Sequence, residues 1–234
     1  IRVTFELNGY TLNVVSSVEY VSALEVYNGG GVALVGAGAL NVTGPASACA
    51  VTVSSNSVFS QVTVTNATAS GPDCKAAHAY GNVSLIVLAD VVATGPRSFG
   101  VHAQEESVIE VRGNVSAGNQ GVCVSSATAK VTGNVVANGL DMIDNPEGIG
   151  VNVYDGIAEI GGNVTANRIG AMIRAGGSIQ IEGTITSLEY IQFNDDDPVT
   201  INAYITPTTK TGYRTYNVGD NTVWIKEEPV VTTY

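Results

Sequence analysis

Between Ser98 and Leu188, apolar and polar residues alternate in short runs, and the same set of runs comes round four times. The first pass is Phe99-Gly-Val-His-Ala, then Ser107-Val-Ile-Glu-Val-Arg-Gly-Asn-Val-Ser-Ala-Gly118. The second is Gly121-Val-Cys-Val, then Ala129-Lys-Val-Thr-Gly-Asn-Val-Val-Ala-Asn138. Gly150-Val-Asn-Val with Ala158-Glu-Ile-Gly-Gly-Asn-Val-Thr-Ala-Asn167 makes the third, and Gly170-Ala-Met-Ile with Ile179-Gln-Ile-Glu-Gly-Thr-Ile-Thr-Ser-Leu188 the fourth. Each pass holds three strand-length runs, two of them joined by Gly-Asn or Gly-Thr. Short strands and tight turns recurring at this interval predict a β-solenoid, since one pass cannot bury its apolar face alone.

Alternation assigns the faces. In the first strand of each coil Val101, Val122 and Val151 point inward, so His102, Cys123 and Asn152 point outward. In the second, Ile109, Val111, Val131 and Ile160 point inward and leave Glu110, Lys130 and Glu159 outside. Val115, Val135, Val164 and Ile185 of the third fill the core. Adjacent coils lie ~4.8 Å apart, so equivalent residues form columns. Taking Gly44, Gly71, Gly95, Gly118, Asn138, Asn167 and Leu188 as equivalent points gives coils of roughly 20–29 residues, with the variation placed in turns. The expectation is an all-β chain: a single right-handed parallel β-helix over residues 1–234, three short strands per coil. Residues 1–17 form an opening coil, 18–188 the repeated coils, and 189–234 the last coils and a C-terminal cap. Tyr190-Ile-Gln-Phe, Val199-Thr-Ile-Asn-Ala-Tyr-Ile, Tyr213–Val218 and Thr222–Lys226 continue the pattern, and Trp224, the one tryptophan, is expected to plug the end of the core.

Composition agrees with many tight turns: 27 of 234 residues are Gly and only 13% are charged. A net charge of −11 with Lys and Arg scattered singly excludes a nucleic-acid partner, which needs a basic patch to displace counterions. No apolar run reaches the ~18 residues of a membrane span. Cys49, Cys74 and Cys123 form an odd set without metal-type pairing, so at most one disulfide could form. The chain opens at Ile1 and reads as a segment of a longer chain, compatible with secretion to the cell surface.

The repeat resembles the right-handed parallel β-helix proteins of pectin-lyase-like architecture. It is also similar to uncharacterised surface proteins of gut bacteria that carry Gly-Asn-Val-Thr-Ala units. In that architecture the turn between the second and third sheets often carries a stacked asparagine ladder. Asn114, Asn134 and Asn163 occupy that position here, with Thr184 in the fourth coil. The resemblance implies an architecture and names no reaction.

Candidate chemistry falls on the outward face of the first sheet, where the expected column is Cys49, His78, His102, Cys123, Asn152, Met172. These include zinc-type ligands, but four ligands in a straight column cannot surround a metal tetrahedrally. Beside it lie Tyr80, Gln104, Ser125, Tyr154 and Arg174 on one side and Gly100, Gly121, Gly150 and Gly170 on the other. Glycines beside hydroxyls, amides and Tyr would make a shallow floor able to stack a sugar ring. The Gly139–Gly148 insertion carries Asp141, Asp144 and Glu147, which would overhang this sheet and could bind Ca²⁺ or act as acid and base. Asp195-Asp196-Asp197 reads as a turn, with calcium the lesser alternative.

The leading expectation is a non-catalytic, secreted or cell-surface, adhesin-like module. Its ligand would be a glycan or a host-surface molecule contacted through His78, His102, Asn152, Tyr80, Tyr154 and Arg174, with Asp141, Asp144 and Glu147 of the insertion, and with no cofactor unless Ca²⁺ binds. The alternatives are a polysaccharide lyase or glycoside hydrolase using the insertion with His102 and Arg174, and a structural spacer of a larger surface protein.

Overall fold

A computed structural model describes residues 1–139, 148–194 and 196–227, and among these there is no helix. Stacked parallel coils make a β-solenoid of about seven turns. The third face is an eight-stranded sheet running from Thr11–Val15 at one end to Ile185–Thr186 at the other. The first and second faces belong to one continuous sheet, because Cys49–Val64 and Lys75–Val87 run through the corner between them.

Equivalent residues stack as the alternation predicts. Val101 lies between Ala77 and Val122, Ile109 between Leu85 and Ala129, and Val115 between Val91 and Val135. Every one of these side chains is buried. The interior is narrow, which is why Val, Ala and Ile fill it and large aromatic side chains are held to its end.

The asparagine ladder is longer than the four coils that first reveal it. It runs Asn13, Asn41, Asn66, Asp90, Asn114, Asn134, Asn163, Thr184. In its upper part each side-chain oxygen accepts from the next coil's backbone N–H, at 2.9 Å for Asn134 on Asn114 and 2.8 Å for Asn163 on Asn134. These bonds satisfy amides that a turn would otherwise leave without a partner.

The C-terminal segment departs from the expected coils. Asn221–Lys226 adds in parallel to Ser178–Ile181, but Tyr213–Val218 returns antiparallel on it and closes that edge. The stretch from Val199 to Ile205 is no strand; it contributes two isolated bridges, Ile191 to Val199 and Ile205 to Thr215. Trp224 does not plug the core. Its register partner is Gln180 on the outer face, and its indole N–H donates to Thr209 Oγ1 at 2.9 Å. Val223 and Ile225 take the inward positions, and the plug is Tyr216, 1% exposed, packed edge-on to Tyr190 and Tyr204. Lys226 (2.8 Å) and Tyr213 both donate to Glu182, tying the hairpin down and holding that carboxyl at about 2.

At the opposite end Val3 is 42% exposed and Phe5, Leu12, Val14 and Leu24 are only part-buried. The register partners of Leu12, Val14 and Leu24 one coil on, Leu40, Val42 and Val51, are fully buried. Core columns thus surface at the N-terminal end, while the C-terminal end is covered.

Candidate functional site

The first sheet's outward face has three columns, and their order follows from an irregularity in each coil. Two consecutive residues, such as Ala76-Ala77, Gly100-Val101 and Gly121-Val122, both face inward. The residue before the pair therefore projects outward as well. The central column is Thr52, His78, His102, Cys123, Asn152, Met172, Gln192. Cys49 is not in it: its register partner is Lys75, and it starts the column Cys49, Lys75, Phe99, Gln120, Ile149, Ile169.

The paired-inward geometry also corrects the glycine floor. Gly100, Gly121, Gly150 and Gly170 are buried. A Cβ on Gly121 would lie 2.3 Å from Val135 Cγ1 and 2.6 Å from the Gly150 carbonyl oxygen. These glycines let the strand of one coil approach the third-sheet side chains and the next coil's backbone, and they present nothing to a ligand.

Much of the central column is closed off. His102 stacks on His78 (5.2 Å between centroids) and on Phe99 (5.1 Å). Burial pushes the His102 imidazole down to about 3, helped by His78 and Lys75, and burial lowers His78 as well. Both rings are neutral at pH 7. The Cys123 thiol is pushed up to about 11 by burial. Further along, Ile149, Ile169 and Met172 form a buried apolar cluster separate from the main core. Asn152 is held by a bond from its amide to Gln120 Oε1 at 3.1 Å. Among the described residues no group of three or more His, Cys, Asp or Glu is placed to hold a metal.

The third column stays open. Tyr80, Gln104, Ser125, Tyr154 and Arg174 follow one another coil by coil, and Tyr154 is 53% exposed. Arg174 Nε donates to the Asn194 carbonyl at 3.2 Å. The column borders the corner where the first sheet turns into the second, and two adjoining hollows of about 590 and 480 Å³ lie along that corner, sharing Glu106 and Ser126. Tyr80, Asn56, Asn82 and Glu105 line one, and Asp155, Thr128 and Ser178 the other. No Lys or Arg lines either hollow, so the corner carries a negative field. Glu105 bonds the Tyr80 phenol and raises its pKa.

The structure thus separates the expected site residues into two neighbouring columns: His78, His102 and Asn152 in the part-buried one, Tyr80, Tyr154 and Arg174 in the open one. Asp141, Asp144 and Glu147, and with them the Ca²⁺ expectation, lie outside the described residues, as does Asp195. Glu105, Glu106 and Asp155 join the open column unforeseen. All three have positive φ (48°, 64° and 48°), a conformation of corner turns that Gly and Asn usually announce in a sequence. The Glu105-Glu106 turn closes with Ser107 N donating to the Gln104 carbonyl at 3.2 Å.

The class is therefore a parallel β-solenoid, with the open column running along a corner of its larger sheet. No protein-family model, curated protein or solved structure matches this chain.

Proposed function

We propose that the chain is a non-catalytic, adhesin-like module of a secreted or cell-surface protein, built on pectin-lyase-like architecture. Its ligand is a carbohydrate, contacted along the open edge of the first sheet. The observation that carries this reading is the column Tyr80, Gln104, Ser125, Tyr154, Arg174, bordered by two adjoining hollows. A linear glycan lying along the solenoid axis meets there an exposed phenol ring for stacking and amides and hydroxyls for its own hydroxyl groups. The carboxylates of Glu105, Glu106 and Asp155 favour neutral or amine-bearing sugars over uronic or sulfated ones.

The acid–base alternative gives His102 a catalytic role. Its ring, stacked on His78 and Phe99 and held neutral by burial, does not favour that. A glycan array tests the proposal. Binding to neutral or amino-sugar oligosaccharides, weakened about two- to twelvefold by Tyr154→Ala, supports it, as loss of one aromatic stacking contact predicts. Absence of binding, a preference for polyanionic glycans, or binding indifferent to both Tyr80→Ala and Tyr154→Ala overturns it.

A further inference from the structure

Displaced from the central column, Cys49 sits beside it with its Sγ 3.9 Å from His78 Nδ1. On the far side of the same ring, His78 Nε2 lies 3.1 Å from Gln104 Oε1. An amide oxygen only accepts, so this contact places the ring proton on Nε2 and leaves the Nδ1 lone pair facing the thiol. The three groups come from three successive coils, brought together by register alone. Lys75, the register partner of Cys49, puts a cation on the neighbouring strand.

From this geometry we infer that Cys49, His78 and Gln104 form a nucleophile, base and orienter, and that Cys49 is the thiol through which the protein exchanges with small disulfides. Three-group sets of this kind are recognised by geometry and roles rather than by position in a chain. In the exchange the Cys49 sulfur attacks one sulfur of the incoming disulfide while its proton passes to His78 Nδ1. A new S–S bond forms to Cys49 and the old one breaks. The departing thiolate recovers the proton from His78, so Cys49 is oxidised and half of the disulfide reduced. Burial lowers the His78 pKa and keeps the ring neutral, and the Gln104 oxygen on Nε2–H works the other way by supporting the protonated ring. The two other thiols are poorly placed to compete: Cys74 is fully buried, and burial pushes both Cys74 and Cys123 up to about 11. All three are free thiols in the structure. The inference is independent of the carbohydrate reading.

The test is the rate of mixed-disulfide formation with glutathione disulfide at pH 7, with the modified site located by mass spectrometry. Glutathione is expected first on Cys49. Cys49→Ser should abolish the fast phase, and Cys74→Ser and Cys123→Ser should leave it unchanged. His78→Phe, which keeps a ring stacked on His102, should slow it by about 10²-fold, the contribution of a positioned base. Misfolding of that variant would expose thiols and speed the reaction, so a slowed rate cannot arise that way. The inference is overturned if His78→Phe, shown by circular dichroism and its urea midpoint to be folded, changes the rate by less than about threefold or raises it, a span well short of a base's contribution. It is also overturned if folded Cys49 reacts no faster than the same thiol in the urea-unfolded chain.

Discussion

Replacing His102 with Phe keeps a flat ring against His78 and Phe99 while removing a titratable group, and the consequence for acid stability can be worked out. In the folded chain the His102 pKa is about 3, lowered first by burial and then by His78 and Lys75, against an ordinary value of 6.5. Between those two values the unfolded chain binds a proton that the folded chain does not. Stability from this group is therefore complete above pH 6.5 and declines as pH falls towards 3. At pH 4.5 the open-chain imidazole lies two units below its own pKa, and each unit is about 1.4 kcal/mol. The loss at that pH is about 2–3 kcal/mol, set almost wholly by the unfolded state because the folded pKa lies lower still. Urea unfolding of wild type and His102→Phe at pH 7.5 and 4.5 measures it, since carboxylate effects are common to both and cancel. Wild type should lose about 2 kcal/mol more than the variant on acidification, with His78 adding in the same direction in both. Equal losses would show that His102 is solvated in the fold, and the reasoning from burial would fail.

Other substitutions probe the remaining columns. Gly121→Ala should destabilise by about 1–3 kcal/mol, because its methyl meets Val135 and the Gly150 carbonyl; a neutral result in thermal unfolding would put that glycine on the surface. Asn134→Ala removes the acceptor for Asn163 N–H and should cost about 1 kcal/mol, whereas Asn134→Asp keeps that acceptor, as Asp90 does naturally, and should cost less. Tyr216→Ala should cost about 3–5 kcal/mol, as for a buried aromatic plug, and Trp224→Ala distinctly less; the reverse order in urea denaturation would restore tryptophan to the core.

The solenoid is legible from Phe99 to Ile185 because each coil repeats the same letters and breaks its alternation at the same inward pair, so pattern and stacking dictate one register. It is hidden where an inward pair falls in a coil of different length and letters. Ala50-Val51 is such a pair, and counting by alternation alone put Cys49 where Thr52 stands. Aligning Ala50-Val51-Thr52-Val53 with Ala76-Ala77-His78-Ala79 would have found the shift. The buried glycines misled for a related reason: a residue without a side chain gives no pattern cue, and its role lies in the backbone that passes close to it. The size of Trp224 suggests a core position, but place in a strand decides direction, and Val223 and Ile225 occupy the inward places. Asn13, Asn41, Asn66 and Asp90 give no repeat in the sequence because their coils differ in length, although each stacks on the next. The Glu105-Glu106 corner carries no Gly or Asn and so gives no turn signal.

Zero-length carbodiimide cross-linking of the unmodified protein, read by mass spectrometry, tests the stacking on which every surface here depends. Lys130 Nζ lies 3.4 Å from Glu159, one coil on, and Lys226 Nζ 2.8 Å from Glu182, on the strand it pairs beside. Amide links Lys130–Glu159, with Lys130–Glu110 from the coil on the other side, and Lys226–Glu182 are the predicted products. Links from Lys130 to carboxylates of another face, such as Asp90 or Asp220, in place of Glu110 and Glu159 would contradict the register, and with it the columns.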